Sequence, residues 1–444
     1  MESIWSEKWP RIPAGEKELP EKAEVVIVGG GMAGLLCAYL LKEAGVQTIV
    51  LEVDHVCSGQ TKNTTAKITS QHGLLYENLR RIFGEEVSIQ YAKMNEKAID
   101  EYERIVIKNK IDCDFVRVPS YLYTKTKHGE ELLRQEHDAA KKSGIFTSLV
   151  SETTLPFAVR LALKYERQAQ FHPLKFLARI VPELEIFEKT RVIRIKGKNV
   201  VTERGTIEAE RIILATHFPF VNVPGFYFAR MHQERSYVLA VGASEKGQNV
   251  GLDGMYYGID SDGLSFREAE GRILLSGKSE RTGVVQKENP YDALRREAKK
   301  LWPDYTECAC WAAQDCMTLD HLPYIGWFST MHPEWYVATG FEKWGMTNSM
   351  IAAMALCDHI TGQNIKKWQC VSPQRPLTKK AVGTLMQEAA FTAGNFLTWK
   401  KPRCPHLGCR LIWNPHERSW DCPCHGSRFA EHGELVDNPA QTGL

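Results

Sequence analysis

Apolar residues change period twice near the start of the chain. Glu24-Val-Val-Ile-Val28 is a continuous apolar run, Gly29-Gly-Gly31 interrupts it, and Met32 to Glu43 carries apolar residues at helical spacing. Ile49-Val-Leu-Glu52 returns to an extended pattern, so strand, tight turn, helix and second strand are predicted in that order. A long polar stretch rich in hydroxyls, Val53 to Gly73, comes next. Glu85 to Lys110 places Val87, Tyr91, Met94, Ala98, Ile99, Tyr102 and Ile105 on one face of an amphipathic helix. Phe115 to Thr124 and Phe146 to Leu149 read as strands around a polar helix, Gly129 to Ser143. Pro173 suits the first turn of another helix, with His172 just before it as a cap or a buried structural residue. Short strands fill Arg191 to Thr216, and polar and apolar residues then alternate over 226–285 in the manner of an antiparallel sheet. Helices are expected over Asn289 to Trp302 and from Met346 to about Ile360, with the strand Trp335 to Gly340 between them.

Composition narrows this little. With 444 residues, 43% hydrophobic and 25% charged, the chain can bury a large core and should form two or three domains. A formal net charge of +2 gives no reason to expect nucleic acid or an anionic membrane as partner. Met1 to Pro20 lacks the apolar core of a secretory signal, and no stretch is apolar enough for an integral membrane segment. Twelve cysteines lie singly up to residue 370 and then gather as Cys404, Cys409, Cys422 and Cys424, which is no secreted disulfide framework; a cytoplasmic location is expected.

Gly29-x-Gly31-x-x-Gly34 sits between the first strand and its helix, where glycines permit the turn, the approach of a pyrophosphate and close helix packing. Glu52 ends the second strand, placed to accept hydrogen bonds from a ribose. The hydroxyl-rich stretch after it suits an extended cofactor, and FAD fits better than NAD.

Val25 to Gly34, Glu52, Ala215-Thr216, Thr318-Leu-Asp320-x-x-Pro323-Tyr-Ile-Gly326 and Ala338-Thr-Gly340-Phe-x-x-x-Gly345 occur in the order seen in the D-amino acid oxidase-like FAD oxidoreductases, which include glycine and sarcosine oxidases. Residues 20 to about 365 resemble that family. The resemblance implies an α/β FAD-binding Rossmann-like domain built from segments of about 23–75, 190–225 and 310–365, with an interleaved α+β substrate domain of about 76–189 and 226–309. An N-terminal extension, 1–22, precedes them. Gly29, Gly31, Met32, Ala33, Gly34, Glu52, Thr65, Val192, Thr216, Gly340, Gly345 and Met346 are the implied FAD contacts. Some relatives bind flavin covalently through a cysteine before Asp-x-x-Pro, but Cys316 is too close to Asp320 for that and reads as a buried small side chain. A small-molecule substrate is implied, and no motif fixes the catalytic residues; Arg267, Lys278 and Arg281 are the candidates.

Near the end stand Cys404-Pro-His406-Leu-Gly-Cys409 and Cys422-Pro-Cys424-His425-Gly-Ser427. Two thiolates for one iron and two imidazoles for the other are the ligand set of a Rieske [2Fe–2S] centre, with Cys404, His406, Cys422 and His425 as ligands. Tetrahedral zinc competes for two Cys and two His. Cys409 and Cys424 follow the offset seen in Rieske proteins, and that resemblance, continuing through Gly426-Ser427 to Pro439-Ala440, implies a disulfide between them and a small all-β Rieske domain over 371–444. Two features depart from the pattern: Phe429 stands where respiratory Rieske proteins have a tyrosine, and Ala381 to Ala390 is helical where strands would be expected. The combination predicts a dehydrogenase that takes two electrons from an amine or amino acid-like substrate and passes them singly to an external partner protein. An oxygen-using oxidase with a structural Rieske module, or a non-catalytic electron carrier, are the alternatives.

Overall fold

Val25, Val26 and Ile27 have no solvent exposure, as befits a strand covered on both faces, and Lys22–Val28 (β1) lies between two parallel neighbours, Thr48–Leu51 (β2) and Gly205–Leu214. This computed structural model describes residues 2–7, 17–242, 251–396 and 402–444; residues 8–16 of the expected N-terminal extension lie outside the described residues. The first sheet has eight strands. It runs from Tyr324–Ser329 through His332–Thr339, Gly205–Leu214, β1 and β2 to Ile186–Phe187, with Val192–Lys196 and Asn199–Thr202 as a side hairpin. Met32–Glu43 (α1), buried through Leu41, packs against the helix Gly345–Ile360.

The second sheet has nine strands, ordered Thr306–Thr318, Met231–Gly242, Arg272–Arg281, Ser265–Ala269, Met255–Gly258, Val116–Thr124, Leu161–Gln170 and Lys67–Ile68 (β3), with Thr147–Val150 beside Leu161–Gln170. Two strands differ from expectation. Thr306–Thr318, expected from about residue 310 among the cofactor segments, pairs along the whole of Met231–Gly242, and β3 draws part of the polar stretch into this sheet by pairing with Leu161–Gln170. Long-range pairing fixes both, and neither strand carries its partner in its own sequence.

Helices follow the apolar spacing closely, as Glu85–Asn109, Lys127–Lys142, Pro173–Ile180 and Pro290–Leu301. His172 has a structural job: its Nδ1 accepts from Lys175 N at 3.2 Å and caps the helix that Pro173 opens. The amino-terminal residues fold inward. Trp5 is 1% exposed, donates to Thr64 O at 2.7 Å and lies edge-on to His172.

The third sheet is an antiparallel meander of Ile412–Asn414, Ser419–Asp421, Arg428–Ala430 and Leu435–Asp437. Ahead of it Lys379–Phe396 is one helix, longer than its apolar core predicts, with only Ala381 buried. No helix among the described residues is long and apolar enough to cross a membrane.

Candidate functional site

A cleft of about 1170 Å³ opens where β1, β2 and Gly205–Leu214 end. Gly29 turns there at φ 114°, and a Cβ on it would sit 2.5 Å from Ala215 O. A Cβ on Gly34 would lie 2.0 Å from Gly29 O, so Gly34 seats α1 against the turn and stays behind the cleft wall. All the other expected FAD contacts line the cleft: Gly29, Gly31, Met32, Ala33, Glu52, Thr65, Val192, Thr216, Gly340, Gly345 and Met346. Glu52 accepts from Gly30 N at 2.7 Å and from Asp54 N at 2.9 Å. Burial raises its pKa, and those two amides pull it back. Thr61, which the glycine pattern does not mark, accepts from Met32 N at 2.9 Å at the start of α1. Cys316 is buried, its thiol directed at His217 O.

Ser236, Tyr257, Ser265, Ser276, Lys278 and Asp315 of the second sheet form the far wall, facing the loop Phe341 to Trp344. Burial pushes Asp315 up to about 7, against the opposing pull of Lys343. Two of the three catalytic candidates are elsewhere. Arg267 is 2% exposed and spends its guanidinium on the carbonyls of Thr65, Ala66 and Phe171. Arg281 donates to Pro423 O at 2.8 Å and pairs with Glu388 at 2.7 Å, so it faces the cysteine loops. Only Lys278 reaches the cleft. Residue type could not separate the three, because the cleft-facing side of a strand is set by register. Lys67 and Asp315 were missed for the same reason.

Cys404 and Cys422 are buried in the third sheet's loops. The rings of His406 and His425 stand 5.0 Å apart at 90°, and the Nδ1 of each is buried with no hydrogen-bond partner. Burial lowers the two imidazoles to about 4 and about 3, so both are neutral near pH 7. Orphaned buried nitrogens are rare, and here two of them belong to the loops that carry two buried thiols. The donor set fits a [2Fe–2S] cluster. Ser427 hydrogen-bonds Cys404, and Phe429 is buried against the loops with no hydroxyl to offer. The expected disulfide is not formed. Cys409 and Cys424 are free thiols, grouped with Cys422 within 4.8 Å and hydrogen-bonded to one another.

The loops are pinned to the first two sheets. His406 Nε2 bonds Asn222 Oδ1 at 2.7 Å. Gln233 donates to His425 O at 2.7 Å and Asn438 O at 3.0 Å, and Gln314 donates to Gly426 O at 2.8 Å. Asn438 donates to the carbonyls of Thr216 and Phe218. Beneath them Arg235 holds both oxygens of Glu417, which also meets Arg428 at 3.3 Å. Leu435 to Asn438, Ala440 and Gln441 thereby become part of the cleft lining.

Comparison with known proteins agrees with this geometry. The FAD dependent oxidoreductase family model matches residues 24–359 and the Rieske [2Fe-2S] domain model residues 367–444. The Bacillus subtilis (strain 168) protein YhfW, named for a Rieske 2Fe-2S iron-sulfur centre, is 33% identical over 99% of this chain and 96% of its own length. Glycine oxidase from Geobacillus kaustophilus superposes with a TM-score of 0.67 at 17% identity, over 80% of this chain and 100% of that one. L-proline dehydrogenase from P. horikoshii does so with a TM-score of 0.66 at 17% identity, over 80% and 98%. Two adjoining matches that together account for both the cleft and the cysteine loops place the chain in the FAD dependent oxidoreductase family, as a member with a Rieske domain whose cofactors are FAD and a [2Fe–2S] cluster.

Proposed function

We propose that this protein oxidises a small amine or amino acid-like substrate and delivers the electrons one at a time to an external protein. One observation carries the reading: residues of the cysteine-loop sheet line the same cleft as the glycine turn. When bound, FAD supplies two-electron acceptance and the cluster one-electron release. Gly29, Gly31, Met32 and Ala33 would hold the pyrophosphate, with α1 offering its N-terminal amides, and Glu52 would accept from the ribose. Cys404, His406, Cys422 and His425 would hold the cluster. Ser236, Tyr257, Ser265 and Ser276 give the substrate side a wall of hydroxyls from one sheet, which can orient a small polar molecule. The loop Phe341 to Trp344 covers that side with two aromatic rings and restricts water.

The test is anaerobic mixing of the holoprotein with a library of amines and amino acids. Flavin bleaching followed by a Rieske EPR signal is expected, with little oxygen consumption when air is admitted. A substrate that bleaches the flavin while the EPR signal never appears, and that drives rapid oxygen uptake, would sink the reading in favour of an oxidase.

A further inference from the structure

Among the described residues five cations line the cleft, and four have an acid beside them. Lys189 pairs with Asp54, Arg191 with Glu203 at 3.5 Å and Lys343 with Glu234 at 3.0 Å, while Lys278 acts on Glu288. Lys67, on β3, has none. Its Nζ bonds the carbonyl of Tyr256 at 3.2 Å and the hydroxyl of Ser265. The charged group facing it is another cation, Arg267, whose own N–H groups are spent on carbonyls. A second buried positive charge with no anion is costly, and loss of a proton relieves that cost.

Lysine as a neutral amine has two N–H bonds and one lone pair. Tyr256 O and Ser265 Oγ can take both N–H bonds, which leaves the lone pair for the cleft that Lys67 and Ser265 line. Resting on the amine-oxidation reading above, we propose that Lys67 is a catalytic residue that accepts the proton of the substrate ammonium. The N–H bond of R–NH3+ breaks, its electron pair stays on the substrate nitrogen as R–NH2, and Lys67 becomes the ammonium. Removing the proton raises the electron density from which hydride can leave the neighbouring carbon. Burial and Arg267 bring Lys67 down to about 7, so near neutral pH it can both take the proton and give it up.

The experiment uses the holoprotein and the pH dependence of flavin bleaching by one primary amine and one amino acid. In the wild type the rate should rise with pH through about 7 for both substrates. Lys67→Met should lower the rate at pH 7 by on the order of 100-fold or more and shift the rise to the pKa of the free substrate, with the loss shrinking at high pH. Lys67→Arg, which keeps the charge but cannot accept a proton, should match it. A separate reading needs no turnover and survives a variant that fails to fold: acetylation of Lys67 in the wild type, followed by mass spectrometry across pH, reports its protonation directly. Half-reaction near pH 7 is expected, and an ordinary lysine profile above pH 10 overturns the proposal. An unchanged pH profile in Lys67→Met, with affinity lost for the amino acid alone, overturns it too and makes Lys67 a carboxylate anchor. If no amine bleaches the flavin, the amine-oxidation reading fails while the acetylation profile still reports on Lys67.

Discussion

Two parts of the molecule fix the place of a redox group by opposite means. At the glycine turn the work is done by main chain and near neighbours: Gly34 against Gly29 O, and Glu52 bound by an amide 22 positions away. At the cysteine loops it is done by side chains from far along the chain, with Arg235 reaching Glu417 across 182 positions and Gln233 reaching His425 across 192. At Gly29 and Gly34 the turn therefore leaves no room for an added atom. The seam depends besides on charges and amides that stay paired across it.

Damage to each part should show this difference, most strongly at the turn. Gly34→Ala drives a methyl into Gly29 O and should cost about 4 kcal/mol or more, among the severe lesions. FAD content after gel filtration and thermal unfolding should both fall. Normal FAD retention would mean that the turn can shift, and the contrast would fail.

Arg235→Met comes next. It leaves Glu417, buried and with its pKa lowered by Arg235 and Arg428, with Arg428 as its remaining cation, and should cost about 3 kcal/mol. Iron should be lost at lower urea than FAD. Simultaneous loss of both would show that seam and turn unfold as one unit.

Acid acts on a buried group at the end of the polar stretch that follows Glu52. His72 stacks on Trp344, bonds Tyr91 at 2.8 Å and is held by burial at about 3, far below its ordinary 6.5. The unfolded chain takes up a proton there at higher pH than the folded protein does. Its contribution is thus complete above about pH 6.5 and declines as pH falls toward 3, by up to about 1.4 kcal/mol per pH unit. His72→Phe should flatten the acid limb of stability against pH by that slope. An unchanged limb would place the titration elsewhere.

The smallest effect is expected at Ser427→Ala. The hydroxyl bonds Cys404, and a donor near a cluster sulfur favours the reduced state. Loss of about 1 kcal/mol lowers a one-electron midpoint by about 40 mV. An EPR-monitored redox titration measures it, and a midpoint that does not move would mean that the hydroxyl serves only to accept from Ala440 N.

How far the sequence could be read follows the same divide. Strand, glycine turn, α1 and Glu52 are local, and their apolar periods and spacing state them outright. The four expected cluster ligands are legible as a ligand set because two short loops hold all of them. Arg267 and Arg281 were not, since a guanidinium looks alike whether it faces a cleft or a carbonyl, and only the pairing of Ser265–Ala269 and Arg272–Arg281 with their neighbours decides. Lys67 was hidden for a related reason. Its strand is two residues long, and no period can mark it. The expected disulfide came from likeness of spacing, which does not report how the sulfurs bond.

Trp5 sets an order of assembly. Its seat is made by Thr64, His172 and Arg267, which lie far apart in sequence and meet only when β3, the helix at Pro173 and the strand at Ser265 have come together. Contacts of such wide separation form late, after the loops between them have closed. Trp5 leaves the ribosome long before Arg267 exists, so its full seat can close only after the strand at Ser265 has been made.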